Sequence, residues 1–327
     1  MQRPERFLSC DWGTSTFRLR SVQTKGLRFL AEVRTARGVQ TVRTEVAQRG
    51  VRAETAFEET LCSALKELAQ KSNDSLADLP IIISGMATST IGWLELPYAQ
   101  LPLALDGSGL PIAEKEVMTA VTGSHRVLLL SGLSTDDDVM RGEEVEILGL
   151  LSCAEYKALT DAVLLILPGT HSKHVEIRER QIVDFRTYMT GELFDVLGAH
   201  SILRHSVETP AGETPAPSPA AKESFIEGVR AASKTALSGA LFKVRTNQVL
   251  KQLSVGDNRN YLSGLLIGSE LADAQRAAGD YPTLLAASAA LLPAYSTACE
   301  ALGMDVIRVP ETLTSSASAR GQLCCYH

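Results

Sequence analysis

Two α/β domains of similar topology, each a mixed sheet flanked by helices, are the fold this sequence predicts. Three observations carry it. The chain has 327 residues, more than one core of ordinary size accommodates, so two domains of roughly 150 residues are expected. A short motif recurs: "LSCDWGTSTFRL" at 8–19 and "ILPGTHSKHVEI" at 166–177 each run from an apolar segment through Gly-Thr and a small polar pair into an outgoing strand. The two pairs, Gly13-Thr14 and Gly169-Thr170, stand 156 positions apart (169 − 13), close to half the chain. Repetition at that length points to two like domains, 1–156 and 157–327, rather than a solenoid. Finally, strand meanders followed by helix–strand alternation occur twice over, the signature of mixed-sheet α/β layers.

The elements follow in order. "RFLSCDWG", "FRLRSVQ" and "RFLAEVR" read as three strands with polar turns, an antiparallel meander. Phe57, Leu61, Leu65 and Leu68 recur at helical spacing, so residues 54–71 are a helix. "LPIIISG" at 79–85 and "RVLLLSG" at 126–132 are continuous apolar runs suited to buried parallel strands. "GEEVEILGLLSC" at 142–153 carries a helical stripe, with glutamates at the end where the helix dipole favours negative charge. In the second half "AVLLILPG" is a strand, "HVEIRE" and "QIVDFRT" a hairpin, and "TGELFDVLGAHSIL" a helix beginning near Thr190. Residues 206–221, with four prolines and no periodicity, read as a mobile loop. Helices dominate from about 222 to 279, and "TLLAAS" and "DVIRVP" return as strands around a helix at 290–302. The cleft between two such layers is the natural place for a ligand.

Composition excludes several classes. Hydrophobic residues make up 45% and charged residues 21%, as in soluble globular proteins. A net charge of −6 without a Lys/Arg cluster argues against nucleic-acid binding, so an anionic substrate needs a local cationic pocket. The six cysteines are dispersed, with no CxxC spacing for zinc or redox chemistry. His171 and His174 lie on a turn and a strand and need not share a face, so neither reads as a metal ligand. No signal region and no membrane-length apolar run is present, which points to the cytoplasm. Self-association into a homo-oligomer is left open.

A bland turn needs only its Pro and Gly. The repeated turns offer more: Gly13, Thr14 and Ser15 in one, Gly169, Thr170, His171, Ser172 and Lys173 in the other. Backbone N–H groups, hydroxyls and a cation held together suit a phosphate. Asp11 ends the first strand and either caps the turn or holds a Mg²⁺ that bridges phosphates, with Arg18 facing the transferring group. "ISGMATSTIGWLELPY" at 83–98 sets Gly85-Met86 after a buried strand, then Trp93 and Tyr98; these aromatics are either core or a pocket wall beside turn N–H groups that hold a carboxylate. "VMRGEEVE" at 139–146 is either a solvated helix start or a working cluster in which Arg141 forks onto a carboxylate and Glu143 or Glu144 takes a proton from a hydroxyl. Walker A, Rossmann and protein-kinase signatures are absent.

"DWGTSTFRLR", "SGMATSTIGWLELPY", "VMRGEEVEILG", "LPGTHSKHVEI", "DFRTYMTGELFDVL" and "YLSGLLIGSEL", in this order from position 10 to 271, resemble the 2-dehydro-3-deoxygalactonokinases of the sugar-kinase, heat-shock-ATPase and actin superfamily. The resemblance implies an actin-like pair of ribonuclease-H-like domains with ATP between them, the sugar-acid site in the first and the nucleotide site in the second. It implies ATP- and Mg²⁺-dependent phosphorylation of the C6 hydroxyl of 2-dehydro-3-deoxy-D-galactonate, in galactonate breakdown. "DWGTST" and "PGTHSK" become the two phosphate loops. Asp11 then orients the metal, Lys173 and Arg18 neutralise phosphate charge, and Arg141 fixes the carboxylate of the small-molecule sugar acid. A non-catalytic actin-like sensor and a kinase for another 2-keto-3-deoxy sugar acid remain alternatives.

Overall fold

The computed structural model describes residues 3–207, 219–278 and 281–326. The centre of the expected mobile loop, 208–218, lies outside the described residues. Contacts divide the chain into two compact units, one of Met1–Asp161, Arg178–Asp184 and Thr312–His327, the other of Ala162–Ile177 and Phe185–Glu311.

In the first unit, β1 (Arg6–Trp12), β2 (Phe17–Gln23) and β3 (Arg28–Thr35) form the predicted meander. Helices α1 (Val39–Arg49) and α2 (Ala53–Lys71) follow. The stripe of α2 buries Phe57, Leu61, Leu65 and Leu68 as its spacing demands. Next come β4 (Ile81–Gly85), the short strands β5 (Ala99–Gln100) and β6 (Leu103–Ala104), then β7 (Ile112–Thr119), β8 (Gly123–Leu130), β9 (Leu133–Ser134), β10 (Val139–Met140) and α3 (Glu143–Leu151). The main sheet runs β3-β2-β1-β4-β8-β7. β1, β4 and β8 are parallel, and β2 and β7 are antiparallel to their neighbours β1 and β8. The central strands are buried on both faces, which is why they read as unbroken apolar runs. α1 and β7 were not anticipated. Only Val39 and Val42 of α1 are buried, and β7 is a charged edge strand, so neither shows a strong periodic signal.

The second unit opens with β11 (Ala162–Leu167), β12 (Ser172–Arg178) and β13 (Gln181–Tyr188, of which 181–184 groups with the first unit), then α4 (Thr190–His200) and α5 (Arg204–Val207). A helical layer follows: α6 (Pro219–Ala232), α7 (Leu237–Leu241), α8 (Lys243–Lys251) and the long α9 (Val255–Ala278). β14 (Thr283–Leu285), α10 (Leu292–Leu302) and β15 (Ile307–Arg308) complete the series, and α11 (Glu311–Thr314) starts the return of the chain to the first unit. In its sheet β6 pairs with Gln181 and Ile182 of β13, and the five neighbouring strands stand in the order β15-β14-β11-β12-β13, with β11, β14 and β15 parallel. Set beside β8-β4-β1-β2-β3 it is the same order, with hairpin-connected strands on one side and parallel crossovers on the other. The sequence repeat is therefore a repeat of topology, and each unit has the ribonuclease-H-like arrangement.

A single boundary after residue 156 does not describe the contacts. The last helix, α12 (Ala317–Cys324), belongs to the first unit. A Cβ on Gly321 would stand 1.7 Å from the Val145 carbonyl oxygen, and one on Gly149 would stand 2.0 Å from that of Ala317, so only glycine lets α3 and α12 approach this closely. Gln322, fully buried on α12, donates to the Cys10 carbonyl and to Ser84 Oγ, both at 2.9 Å, fastening the helix to β1 and β4.

Candidate active site

In the first unit the catalytic candidates gather where β1 ends. Asp11 is partly exposed and pairs across the β1–β2 register with Arg18, whose Nη2 donates to Asp11 Oδ2 at 2.8 Å. The turn after β1 closes with Gly13 N–H donating to the Thr16 carbonyl at 2.9 Å, leaving Thr14 and Ser15 exposed. Behind it stands the start of α1: Val39 and Gln40 donate backbone N–H bonds, both 3.0 Å, to the carbonyls of Gly13 and Thr14. That approach demands Gly38, where a Cβ would lie 2.3 Å from the Thr14 oxygen.

A residue not anticipated joins this end. Glu146, one turn into α3, accepts from Ser318 Oγ at 3.0 Å. Burial pushes its carboxyl up to about 7, and the nearby charges of Asp11 and Glu143 push the same way. Its signal was weak, since a third glutamate in "GEEVE" reads as more of the same helix start.

The segments 85–98 and 141–144 form one cluster. Gly85 and Gly142 both have positive φ (94° and 112°), and a Cβ on Gly142 would lie 3.2 Å from Gly85 Cα. Arg141 is buried; Nη1 donates to Thr88 Oγ1 at 2.6 Å, Nη2 to the Leu96 carbonyl at 3.3 Å, and the guanidinium carbon stands 4.1 Å from the centre of the Tyr98 ring. Its Nε is a buried donor with no hydrogen-bond partner among the described residues. Glu143, partly exposed, accepts the Arg141 backbone N–H through Oε2 at 3.1 Å.

Three expectations here are corrected. Trp93 is a core residue, 6% exposed, with its ring 6.3 Å from that of Trp12, so it is no pocket wall. Met86 packs against that core, and the N–H groups of Ser89, Gly92, Trp93 and Leu94 are used by carbonyls within the loop, so this turn offers them to no carboxylate. Glu144 is fully buried, with both oxygens on the Gly142 N–H at 2.8–2.9 Å; burial first, and Glu143 second, raise its carboxyl to about 8. It braces the glycine turn and is not placed to touch a substrate.

The second unit repeats the first arrangement. Glu192 N–H donates to the Thr170 carbonyl at 3.1 Å, the counterpart of Gln40 on Thr14, and Gly191 allows it because a Cβ there would meet Thr170 Cα at 2.7 Å. Gly169 is partly exposed and Thr170 exposed on this turn. His171 is exposed and its Nε2 bonds Glu192 Oε2. Ser172 and Lys173 are strand residues instead of loop ligands, a further correction. Ser172 is fully buried, with Oγ 3.0 Å from Tyr295 Oη, and Lys173 is buried with its ammonium donating to Thr187 Oγ1 at 2.6 Å. β12 begins earlier than the polarity of "THSK" suggests, because hydroxyl partners on β13 and α10 let polar side chains be buried.

Among the described residues no group of three or more His, Cys, Asp or Glu is placed to hold a metal ion, and no helix is long and apolar enough to cross a membrane. Each unit thus carries one glycine-backed turn, and the first also carries a cluster around the buried Arg141. The chain is similar to known proteins. A family model described as 2-keto-3-deoxy-galactonokinase matches residues 11–322. A protein of Rhizobium meliloti (strain 1021) named "Probable 2-dehydro-3-deoxygalactonokinase" is 37% identical over 306 residues, covering 92% of this chain and 90% of its own. The 2-dehydro-3-deoxygalactonokinase of Escherichia coli (strain K12) is 34% identical over 247 residues, covering 74% and 77%. A crystal structure of a Sinorhizobium meliloti protein assigned the same activity superposes with a TM-score of 0.76 at 33% identity, covering 97% and 96%. Family model, relatives and fold converge: this chain is a kinase that belongs to the 2-keto-3-deoxy-galactonokinase family.

Proposed function

We propose that the protein transfers the γ-phosphoryl group of ATP to the C6 hydroxyl of 2-keto-3-deoxy-D-galactonate, in the breakdown of galactonate. The observation that carries the reading is the repeated turn: Gly13-Thr14 and Gly169-Thr170 each lie against a helix start that donates to the threonine carbonyl. Exposed hydroxyls on a glycine-backed turn, Thr14 and Ser15 in one unit and Thr170 in the other, suit phosphate oxygens.

The first unit supplies the sugar-acid site and the second the nucleotide site. Arg141 holds the substrate carboxylate, since its Nε lacks an acceptor among the described residues and Tyr98 fixes the guanidinium plane. Glu143 takes the proton of the attacking hydroxyl. Arg18 offsets charge on the transferring group, and Asp11 keeps Arg18 aimed through their ion pair. Asp11 is a partly exposed carboxylate, which fits Mg²⁺, an ion that takes most of its ligands from phosphate oxygens and water. Asp11 is the residue that would hold it, and the ion would supply charge neutralisation during transfer. Lys173, held at Thr187, has no part in the reading.

A coupled assay of ADP release across a panel of 2-keto-3-deoxy sugar acids tests it. The galacto compound should give the highest kcat/KM, with phosphate at C6 of the product. Turnover of another stereoisomer in its place overturns the substrate, and binding without turnover on any of them overturns the catalytic reading in favour of a sensor.

A further inference from the structure

A buried polar network in the second unit converges on one carboxylate. Glu270, on α9 and 2% exposed, accepts from His174 Nε2 at 2.9 Å through Oε1, and from Thr190 Oγ1 and Tyr295 Oη, the latter at 2.8 Å, through Oε2. His174 Nδ1 is buried without a partner among the described residues, which suits the tautomer that carries its proton on Nε2. Proton order along the rest of the network follows from this. Tyr295 donates to Glu270, so Ser172 Oγ must donate to Tyr295 Oη, at 3.0 Å. Ser172 then keeps its lone pairs for the Gly169 backbone N–H at 3.4 Å. Every donor along this line points toward the carboxylate.

The other arm runs through Thr190, first residue of α4. Its neighbours Gly191 and Glu192 form the wall behind the turn, with Glu192 N–H on the Thr170 carbonyl. Glu270 thus holds the floor of the Gly169-Thr170 turn through Tyr295 and Ser172, and its wall through Thr190. A buried anion beside an anion-binding turn opposes phosphate electrostatically, and burying it is costly unless it is fully hydrogen-bonded. Geometry, not charge, is therefore what it contributes.

We infer that Glu270 is a positioning residue that sets the shape of the Gly169-Thr170 turn and, through it, the affinity for the nucleotide. The inference rests on the reading of that turn as a phosphate loop. Steady-state kinetics on the full-length protein test it, with Glu270→Gln, Tyr295→Phe and Thr170→Glu. Tyr295→Phe removes the hydroxyl between Glu270 and Ser172 with little change of shape, and should raise KM for ATP about tenfold, as for one buried hydrogen bond. Glu270→Gln, which disturbs both arms, should raise it further. KM for the sugar acid should stay within about twofold of wild type, a split that general destabilisation would not produce. If Tyr295→Phe and Glu270→Gln lower the melting temperature yet leave KM for ATP unchanged, the network is only structural and the inference falls. Thr170→Glu puts a negative charge on the turn itself; if it leaves ATP binding unchanged, the phosphate-loop reading is what has failed.

Discussion

The Arg141 guanidinium lies 4.1 Å from the centre of the Tyr98 ring while donating to Thr88 Oγ1 and the Leu96 carbonyl. Stacking on an aromatic face and a planar fork of donors are properties of arginine that lysine lacks. Arg141→Lys should therefore raise KM for the sugar acid nearly as much as Arg141→Ala, by about 1.5–3 kcal/mol for a lost charge-assisted bond. Near-normal KM in the lysine variant would mean that only the charge matters at this position.

Glu143 and Glu144 are neighbours in sequence but not in surroundings. Glu143 is partly exposed, whereas both oxygens of Glu144 are held by the Gly142 N–H. Glu143→Gln should lower kcat by roughly 10²–10⁴-fold if it is the general base, with KM little changed. Glu144→Gln keeps an acceptor for Gly142 and should retain most of kcat. Reversed outcomes would exchange the roles.

Asp11→Asn leaves the Arg18 guanidinium without its carboxylate. The change should lower kcat far more than it weakens sugar-acid binding, because charge at this end matters most when the phosphoryl group is in transit. Turnover near wild type at saturating Mg²⁺ would reduce Asp11 to a turn residue.

Stability should fall as pH rises from mildly acid to mildly basic. In the unfolded chain Glu144 and Glu146 lose their protons in the usual carboxylate range. In the folded protein burial holds them until about 8 and about 7. Between those limits the native state binds more protons, so their contribution is fully present below the unfolded pKa and is lost as pH rises through the folded one. Denaturant melts at about pH 5.5 and about pH 8.5 should show wild type losing more than Glu144→Gln, by on the order of a few kcal/mol. Equal losses would show that Glu144 ionises normally.

Contact between α3 and α12 sets a steric test. Gly321→Ala would press a methyl group on the Val145 carbonyl and should cost about 1–3 kcal/mol, read as a drop of several degrees in melting temperature. Gly239→Ala on the exposed α7, where nearest approach is 3.5 Å from the Thr235 methyl, should be neutral or slightly stabilising. A silent Gly321→Ala would mean that the helices can separate without loss.

The sequence alone determined the repeat and most of the sheet. Long apolar runs such as "IIISG" and "AVLLIL" allow little besides buried strands, and the 156-residue offset of Gly-Thr reappears as two sheets that share the order of five strands. It also located the clusters around Asp11, Gly85, Arg141 and Gly169, because turn chemistry is local. Tertiary structure decided which side chains in those clusters remain available. Ser172 and Lys173 look like loop ligands until Tyr295 and Thr187, each distant in sequence, bury them. Trp93 looks like a pocket wall until Trp12 packs against it. Glu144 and Glu143 are chemically identical and adjacent, and only the fold separates a brace from an exposed carboxylate. Glu270 lies within "YLSGLLIGSEL", but nothing in that stretch marks its role: its meaning lies in three donors from β12, α4 and α10 that only folding brings to one point. Burial and hydrogen-bond partnership are properties of neighbours in space, and a single sequence records only neighbours along the chain.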